Sequence, residues 1–394
     1  MAGEKLGFII PWYSEDMKGG AETELLQLVH HLQAEGVELE VLSTCVRSFR
    51  DDWNQDYHKP GRTVEAGITV RRFPVRKRDA AAFDGVNIKL MHGERITRAE
   101  EEIFCREMIN SPALCDYIRE HSDEYKAFIF IPYMFGPVYY GCQVCPEKSV
   151  LIPCLHDESY AYMECFREAF SKVHGMIFNA DPERLLAERL YGVSGDRFVT
   201  FGLGMDTDWH FDADRFRRKF KINAPFMLYA GRKDEGKGVH LLVKQFMEYK
   251  KRNHSDLKFV MIGGGEIDNP DKKNIIDLGF VDKQDKYDAY AAASFFCNPS
   301  RMESFSIVIM ESWLAGRPVL VNAKCAVTRD FVHQANGGLY YDNFLEFEKC
   351  VNYLLENGEI AKGMGLNGGD YVRSHFAWDV ILRRYRDYFG LDKK

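Results

Sequence analysis

The feature that most constrains the fold of this chain is a pattern that occurs twice along its length. A short apolar strand, a glycine-containing loop, an amphipathic helix and another apolar strand follow one another, first from Lys5 and again from Phe226. In the first copy, leucines and valines recur at the helical period before Gly36. Strands that alternate with helices pack as parallel sheets covered on both faces. The pattern therefore predicts an α/β protein with two doubly wound, Rossmann-like domains.

Further short apolar runs predict additional strands of the first sheet, at residues 68–73, 127–131, 149–153 and 175–179. The charged segment 211–223 precedes the second start, and we place the linker there. We predict an N-terminal domain over residues 1–205, a linker over 206–224, a C-terminal domain over 225–375 and a C-terminal helix over 376–394 that returns to the N-terminal domain. Two such sheets in series would face a cleft, with ligands beyond the carboxyl ends of the strands.

The composition excludes several classes of protein. Lys and Arg total 52 against 59 Asp and Glu, a net charge of -7, so nothing attracts the chain generally to nucleic acid. No run reaches the ~20 apolar residues of a membrane span, and the opening MAGEKLGFII is charged where a secretory signal is apolar. We expect a soluble, cytoplasmic protein.

The ten cysteines lie in apolar contexts and are expected to be reduced. The pair Cys142-x-x-Cys145 lacks the second pair of a zinc site.

A basic, glycine-containing loop follows the strand that opens the second domain. It reads Tyr229-Ala-Gly-Arg-Lys-Asp-Glu-Gly-Lys-Gly238 and runs into a helix. Glycines such as Gly231 let the backbone approach an anion, the helix offers unpaired N–H groups, and Arg232 and Lys237 can neutralise a diphosphate. A solvated surface loop would have the same composition, so this segment alone leaves both interpretations open.

Two glutamates separated by seven residues follow in the segment Pro299–Glu311. Glu303 falls in a loop and Glu311 inside a helix that the side chain of Ser304 or Ser306 can cap. This helix would direct its partial positive charge at the same anion. The helix is apolar around most of its surface near Glu311, so the carboxylate there needs a partner, such as the vicinal diol of a ribose.

Together these motifs resemble the GT-B glycosyltransferases of family 4, and the resemblance covers nearly the whole chain. It rests on the E-x7-E pair, the preceding Pro-Ser, the Gly-Arg…Lys-Gly loop and an early Gly-Gly-Ala-Glu. It implies a retaining transfer from a nucleotide sugar, with the donor bound mainly by the C-terminal domain and the acceptor by the N-terminal one. The donor residues that it implies are Gly231, the diphosphate-binding Arg232 and Lys237, the catalytic Glu303 beside the sugar, the ribose-binding Glu311, and the phosphate-binding turn of Ser304, Phe305, Ser306 and Ile307.

The resemblance also implies roles for two loops of the N-terminal domain. Gly19 and Gly20 match the glycine-rich first loop, whose backbone approaches the diphosphate as the domains close. His156 matches a histidine commonly placed beside the transferred sugar, and it also follows an apolar strand, which places it at the rim of the predicted cleft. We group His156 with the catalytic residues and assign Glu22 and Asp157 to the acceptor.

Three features depart from this resemblance or lie outside it. Many members carry glycine after the first glutamate, where this chain has Ser304, so the shape around the sugar can differ. The D-x-D triplets that start at Asp206 and Asp212 would suggest metal-dependent transferases, but they lie in the charged linker, and the basic loop already supplies positive charge. We therefore predict no metal and no cofactor. The stretch Ala80–Ser122 matches no motif, and an acceptor could bind there.

A cluster of basic residues follows a strand of the N-terminal domain and consists of Arg71, Arg72, Arg76, Lys77 and Arg78. Such a cluster can attract the phosphate of a lipid-linked acceptor or the anionic inner face of a membrane. It is also what a solvated sheet edge would carry. Peripheral membrane contact is thus one of two interpretations of this cluster.

We predict a metal-independent, retaining glycosyltransferase that moves a hexosyl group from a nucleotide sugar, with UDP-hexose favoured over GDP-mannose. The acceptor would be a hydroxyl of a carbohydrate, a glycolipid or a small molecule. Three alternatives stay open. A sugar-nucleotide 2-epimerase would act on the donor without an acceptor, and a non-catalytic sugar-nucleotide-binding protein would bind without turnover. A glucan phosphorylase shares the two-domain plan but would carry a lysine-bound pyridoxal phosphate on a longer chain.

Overall fold

The computed structural model describes residues 4–16 and 19–391, which form two compact α/β units. The first unit comprises the chain up to Gly204 together with the segment from Trp378 onward, and the second comprises Met205–Ala377. Each unit is built on a predominantly parallel sheet with helices between the strands. The predicted fold class, with two parallel-sheet Rossmann-like domains, is confirmed.

The sheet of the first unit has eight strands among the described residues. They are β1 (Lys5–Ile10), β2 (Leu39–Thr44), β3 (Gly61–Glu65), β4 (Ile68–Phe73), β5 (Tyr125–Phe130), β6 (Ser149–Leu151), β7 (Gly175–Phe178) and β8 (Phe198–Thr200). Their order is β3-β4-β2-β1-β5-β6-β7-β8, and every neighbouring pair is parallel except the antiparallel pair β3 and β4. The central strand β1 is buried from Leu6 onward, as expected for a parallel strand covered on both faces.

Helices connect these strands. They are α1 (Gly20–Ala34), α2 (Ala80–Met91), α3 (Arg98–Glu107), α4 (Pro112–His121), α5 (Gly136–Gly141), α6 (Glu164–Phe170) and α7 (Asp181–Tyr191). The first of them illustrates how the sequence specifies helix position. One apolar face of α1, from Leu25 to Leu32, is buried, and Gly36 beyond its end has a φ of 81°, which glycine adopts readily.

Two parts of the first unit were not foreseen from the sequence. β3 is a polar edge strand exposed along most of its length, so it lacks the apolar run that marks the buried strands. The stretch Ala80–Ser122, which matched no motif, contains α2, α3 and α4. Each of these helices begins with a side-chain cap, from Asp79, Thr97 and Ser111 respectively.

The second unit has a fully parallel six-stranded sheet within the described residues. Its strands are β9 (Phe226–Ala230), β10 (Lys258–Ile262), β11 (Ile275–Asp277), β12 (Phe295–Asn298), β13 (Val319–Asn322) and β14 (Gly338–Tyr341). Their order is β11-β10-β9-β12-β13-β14, the 3-2-1-4-5-6 arrangement of doubly wound nucleotide-binding sheets. Successive strands are added on one side of β9 up to β11 and on its other side from β12 onward. Ligands of such sheets bind beyond the carboxyl ends of the strands at this switch point between β9 and β12.

The helices of the second unit are α8 (Ala213–Phe220), α9 (Val239–Arg252), α10 (Lys283–Ala292), α11 (Ile307–Leu314), α12 (Ala326–Ala335), α13 (Phe344–Glu356) and α14 (Gly358–Phe376). The first of these lies inside the segment predicted as a linker. Arg215 of α8 donates through Nη2 to Oδ1 of the buried Asp288 at 2.7 Å, and Asp212 of the second D-x-D triplet accepts the backbone N–H of Arg215. α8 is therefore packed as part of the second unit, and Asp212 caps it.

The last helix, α15 (Trp378–Phe389), returns to the first unit as predicted. Trp378 stacks on His31 of α1 with ring centroids 3.8 Å apart, and Tyr385 packs edge-on against Phe201. Ile381 is also buried. Over the described residues, no helix combines the length and apolar character required to cross a membrane. All ten cysteines are free thiols.

Candidate functional site

Lys237 and Glu303 lie together after β9 and β12 of the second unit. Lys237 Nζ donates to Glu303 Oε1 at 2.8 Å, although the residues are 66 positions apart. The glutamate side chain is 12% exposed, so the pair is largely withdrawn from water. Lys237 is also held by its backbone, whose N–H donates to Asp234 Oδ1 at 2.9 Å. Two of the residues predicted for the site thus form an ion pair at the carboxyl edge of the sheet.

Close backbone packing fixes the loops around this pair. Gly263 after β10 has a φ of 122°, and a Cβ atom there would lie 2.1 Å from the carbonyl oxygen of Gly231. Gly238, with a φ of 71°, immediately precedes α9, and its Cβ would lie 3.0 Å from the carbonyl oxygen of Pro299. These glycines allow the loops after three neighbouring strands to approach one another directly.

Arg232 and Lys233 are adjacent in the basic loop but differ in environment. The Arg232 side chain is 70% exposed, and its Nε lies 3.4 Å from Asp234 Oδ2. Lys233 is buried and bonds both carboxylate oxygens of Asp277, at 2.6 and 2.8 Å. Lys233, which the sequence analysis did not single out, therefore anchors the loop, while Arg232 is accessible to an anion.

The turn before α11 differs from the prediction that a serine side chain caps this helix. Ser306 is the N-cap residue, but it has φ 75° and ψ 71° and makes no side-chain cap. Its Oγ instead accepts a hydrogen bond from Asn298 Nδ2 at 2.9 Å. The cap prediction is wrong because the left-handed backbone turns the hydroxyl toward β12. Ser304 is partly buried beside it, and Phe305 is buried against the rings of Phe331 and Phe376.

Glu311 lies within α11, 5% exposed, and has the partner that its apolar surroundings required. Lys286 Nζ donates to Oε1 at 2.6 Å and Tyr290 Oη donates to Oε2 at 2.9 Å. Burial, with the nearby Glu311 charge, raises the pKa of Tyr290 well above its usual value, so this phenol stays a donor. Lys286 and Tyr290 stand four residues apart on α10, and this spacing on one helix face was the available signal for them. Each carboxylate oxygen can still accept a second hydrogen bond.

In the first unit, the glycine-rich loop is organised by Glu22. Trp12 Nε1 donates to Glu22 Oε1 at 2.7 Å. The same carboxylate covers Gly19, where a Cβ atom would lie 1.8 Å from Glu22 Oε2. Gly20 is the first residue of α1. Residues 17 and 18 of this loop lie outside the described residues.

His156 and Asp157 lie in the loop after β6. His156 Nδ1 is 3.6 Å from Glu158 Oε1, and its side chain is 31% exposed. Asp157 is exposed and already engaged, since it accepts from Tyr162 Oη at 2.6 Å and from Arg189 Nη2 at 3.4 Å. The structure therefore places His156 beside an accessible surface of the first unit and gives Asp157 two local partners.

Each residue of the basic cluster has a partner within the protein, namely Glu40 for Arg71, Glu65 for Arg72, Arg106 O for Arg76, Asn54 O for Lys77 and Glu107 O for Arg78. Arg72 is buried and also donates to the carbonyl oxygen of Tyr13 at 2.9 Å. Within residues 4–16 and 19–391, no three His, Cys, Asp or Glu side chains are grouped so that they could hold a metal ion.

The chain has the GT-B fold. A sucrose-phosphate synthase from Thermosynechococcus elongatus superimposes with a TM-score of 0.70 at 15% identity, covering 99% of this chain and 100% of that one. Anabaena HepE in complex with UDP-glucose superimposes with a TM-score of 0.67 at 14% identity, covering 98% and 99%. At such identities the similarity establishes the fold alone.

The second unit also matches by sequence, since residues 224–357, from β9 through α13, match the family model described as Glycosyl transferases group 1. A mannosylfructose-phosphate synthase of Agrobacterium fabrum is 24% identical over 217 residues, which cover 49% of this chain and 48% of that protein. A D-inositol 3-phosphate glycosyltransferase of Acidothermus cellulolyticus is 26% identical over 228 residues, which cover 50% of each. The chain thus spans about half the length of the curated relatives it matches.

Proposed function

We propose that the chain is a retaining glycosyltransferase that moves a hexosyl group from a nucleotide sugar to a hydroxyl acceptor without a metal ion. The observation that carries this proposal is the pairing of Lys237 with Glu303 just before the uncapped start of α11. A cation, a carboxylate and a helix amino terminus suit a sugar diphosphate, whose phosphates are anionic and whose sugar carries hydroxyl donors. The family match over the same segment supports it.

Arg232, Lys237 and the first N–H groups of α11 would hold the diphosphate. Arg232 is accessible, and the turn from Ser304 to Ile307 leaves the first backbone donors of α11 without a side-chain cap. A phosphate oxygen would compete with Glu303 for the Lys237 ammonium. Negative charge grows on the diphosphate as it leaves, so these donors would stabilise the transition state more than the ground state.

Glu311 would bind the ribose of the nucleotide. Its two oxygens are already oriented by Lys286 and Tyr290, and each retains a lone pair for one of two vicinal hydroxyls. A carboxylate fixed in this way loses little freedom when the ribose arrives, which favours affinity.

In the reaction, the bond between the anomeric carbon and the diphosphate oxygen breaks while the acceptor oxygen bonds to the same carbon from the same face. The acceptor proton passes to the leaving diphosphate, so no covalent enzyme intermediate is required. Glu303 would lie beside the donor sugar, and His156 would lie beside the transferred group. Retention follows from attack on the face that the diphosphate leaves.

The first unit would supply the acceptor residues. Trp12 fixes the carboxylate of Glu22, which would accept a hydrogen bond from a hydroxyl of the acceptor substrate. The backbone of Gly19 and Gly20 would contact the diphosphate. An acceptor that reaches Asp157 must share it with Tyr162 and Arg189. Contact with the inner face of a membrane stays a prediction. A membrane would have to compete with the protein groups that the basic cluster already bonds.

UDP-hexose is the favoured donor. Structures of similar fold were solved with UDP and with UDP-glucose. The names of the sucrose-phosphate synthase, the mannosylfructose-phosphate synthase and the D-inositol 3-phosphate glycosyltransferase all include a phosphorylated compound. We therefore extend the acceptor class to phosphorylated sugars and polyols.

The test is a calorimetric titration with UDP, GDP and ADP, followed by incubation of the binding nucleotide's hexoses with panels of acceptors. We expect UDP to bind, Glu311→Gln to weaken its binding, and Arg232→Ala to lower kcat more than it raises the Kd. Glu356→Gln and Lys244→Ala, both at exposed positions of the second unit, serve as matched controls. Unchanged binding and turnover in both site variants would refute the site.

Product analysis separates the open alternatives. Proton NMR of the new glycosidic linkage should give the anomeric configuration of the donor, and EDTA should leave the rate unchanged. An inverted product refutes retention. Donor consumption without acceptor would indicate the epimerase, and binding without any turnover would indicate the non-catalytic protein.

A further inference from the structure

A buried carboxylate of the first unit is tied to the loop that carries His156. Glu183 of α7 is 1% exposed. Its Oε1 accepts the backbone N–H of Leu155 at 2.6 Å, and its Oε2 accepts the backbone N–H of Asn179 at 2.6 Å. Both oxygens of one side chain therefore fix backbone just beyond β6 and β7.

Helix capping accounts for only one of these bonds. Glu183 lies in the first turn of α7, and residues there often bond back to the backbone that precedes the helix, as Glu183 does with Asn179. Leu155 belongs to a different loop, 28 residues earlier. The start of α7 does not require that second bond, and what it holds is the residue directly before His156.

The turn before Leu155 requires such support. Cys154 has a φ of 51°, a left-handed conformation that non-glycine residues keep only when their surroundings constrain it. Its Sγ lies 3.5 Å from Glu24 Oε2, and Asn179 Nδ2 donates to the same oxygen at 3.1 Å. Because Glu24 belongs to α1, this network joins the His156 loop to the helix that Gly20 begins.

The two carboxylates differ in their donors. Burial raises the pKa of Glu24 to about 8 and that of Glu183 to about 8, and two backbone N–H groups oppose the shift in Glu183. Those N–H groups limit the rise in the pKa of Glu183, whose two oxygens both accept backbone donors inside the fold.

We propose that Glu183 is a positioning residue for His156, which it holds in place through the backbone of Leu155; the consequence for transfer rests on the proposed function of His156. A displacement of about 1 Å in a reacting group can lower turnover about 100-fold. The nucleotide is assigned mainly to the second unit, and neither hydrogen bond of the Glu183 side chain involves Gly19 or Gly20. Glu183 should therefore control turnover and not nucleotide affinity.

Glu183→Gln tests this, since it keeps the side-chain size but turns an NH₂ group toward one of the two backbone donors. We expect kcat to fall about 10- to 100-fold, with the Kd for UDP unchanged. Glu188→Gln, on the same helix, should keep wild-type turnover. In a His156→Ala background, Glu183→Gln should cause no further loss, because the group that it positions is gone. An equal loss in both backgrounds, or an unchanged kcat in the wild type, overturns the proposal.

An NMR measurement distinguishes failure of this proposal from failure of the proposed function. With ¹³C-labelled histidine, the His156 ring signal is assigned by its loss in His156→Asn. It should shift in Glu183→Gln and not in Glu188→Gln, and an unmoved signal overturns the positioning role. A wild-type protein that transfers no sugar refutes the proposed function while leaving this readout intact. If Glu183→Gln does not fold by circular dichroism, Glu183→Asp, which withdraws the carboxylate by one methylene, undergoes the same measurements with the same expected shift.

Discussion

The ion pair between Lys286 and Glu311 gives an asymmetric prediction for stability. Lys286→Met leaves the Glu311 carboxylate, 5% exposed, with Tyr290 as its remaining donor. Glu311→Gln instead leaves an ammonium whose side chain is 30% exposed and can turn to water. Removing the cation should therefore destabilise the second unit more than removing the anion.

The magnitude follows from the burial of each partner. Stripping one partner from a fully buried pair costs about 3–5 kcal/mol. Partial exposure of Lys286 lets water replace some of its contribution, so we expect about 2–3 kcal/mol for Lys286→Met. We expect about 1 kcal/mol for Glu311→Gln, where Tyr290 can still donate to the amide oxygen. In the Glu311→Gln background, Lys286→Met should cost about 0, which gives a coupling of about 2 kcal/mol.

The assay is native-state hydrogen exchange of peptides from α10 and α11, because a two-unit chain need not unfold in one step. Urea titration of the exchange rates gives the free energy of opening for each variant. Lys244→Met, at an exposed position of α9, should change it by less than about 0.5 kcal/mol. Additive effects of the two substitutions, within about 0.5 kcal/mol, would refute the reasoning.

Three further predictions concern backbone and burial. Ser306→Gly should be about 1 kcal/mol more stable than Ser306→Ala in urea, because both lose the hydroxyl and only glycine relaxes at a φ of 75°. Glu24→Gln should gain stability relative to the wild type by a few kcal/mol between pH 5 and 8.5. The reason is that folding raises the pKa of Glu24 to about 8, so the wild type binds extra protons when folded and loses stability as pH rises toward 8. Gly263→Ala should cost about 3 kcal/mol, since its Cβ meets the carbonyl oxygen of Gly231.

The controls for these predictions come from the same chain. Gly236→Ala has Asp234 Oδ1 at 3.5 Å as its nearest contact and should be neutral in the same urea titration. If it costs as much as Gly263→Ala, close packing is not the cause. Equal midpoints for the two Ser306 variants would contradict the backbone argument. A difference between Glu24→Gln and wild type that stays constant with pH would mean that Glu24 does not titrate in this range.

Periodicity made both sheets predictable, because buried parallel strands are apolar and the helices between them bury one face. β3 was not predicted because it is a polar edge strand without an apolar run. α8 was not predicted because this short helix, held by Arg215 and Asp288, has the charged composition of a linker. The limits are physical. Hydrophobic periodicity indicates which side chains are buried, and it does not indicate elements that are held by ion pairs.

For the candidate site, the motifs singled out Lys237 and Glu303, which lie in contact because residues that follow neighbouring strands meet at one edge of a parallel sheet. Glu311 was singled out by the apolar helix around it. Sequence alone could not foresee the left-handed backbone of Ser306, whose hydroxyl accepts from Asn298 instead of capping α11. Nor could it foresee Glu183, whose partners are backbone N–H groups with no sequence signature. Tertiary contacts decide such positions.

The return of α15 to the first unit has a consequence for biosynthesis. The second unit is one continuous stretch, Met205–Ala377, whereas the first awaits a helix that is translated after it. Until Trp378 has left the ribosome, it cannot stack on His31, and Phe201 lacks its contact with Tyr385. The part of the molecule that is synthesised first should therefore be the last to finish folding, and a nascent chain that stops short of Trp378 should expose this surface to chaperones.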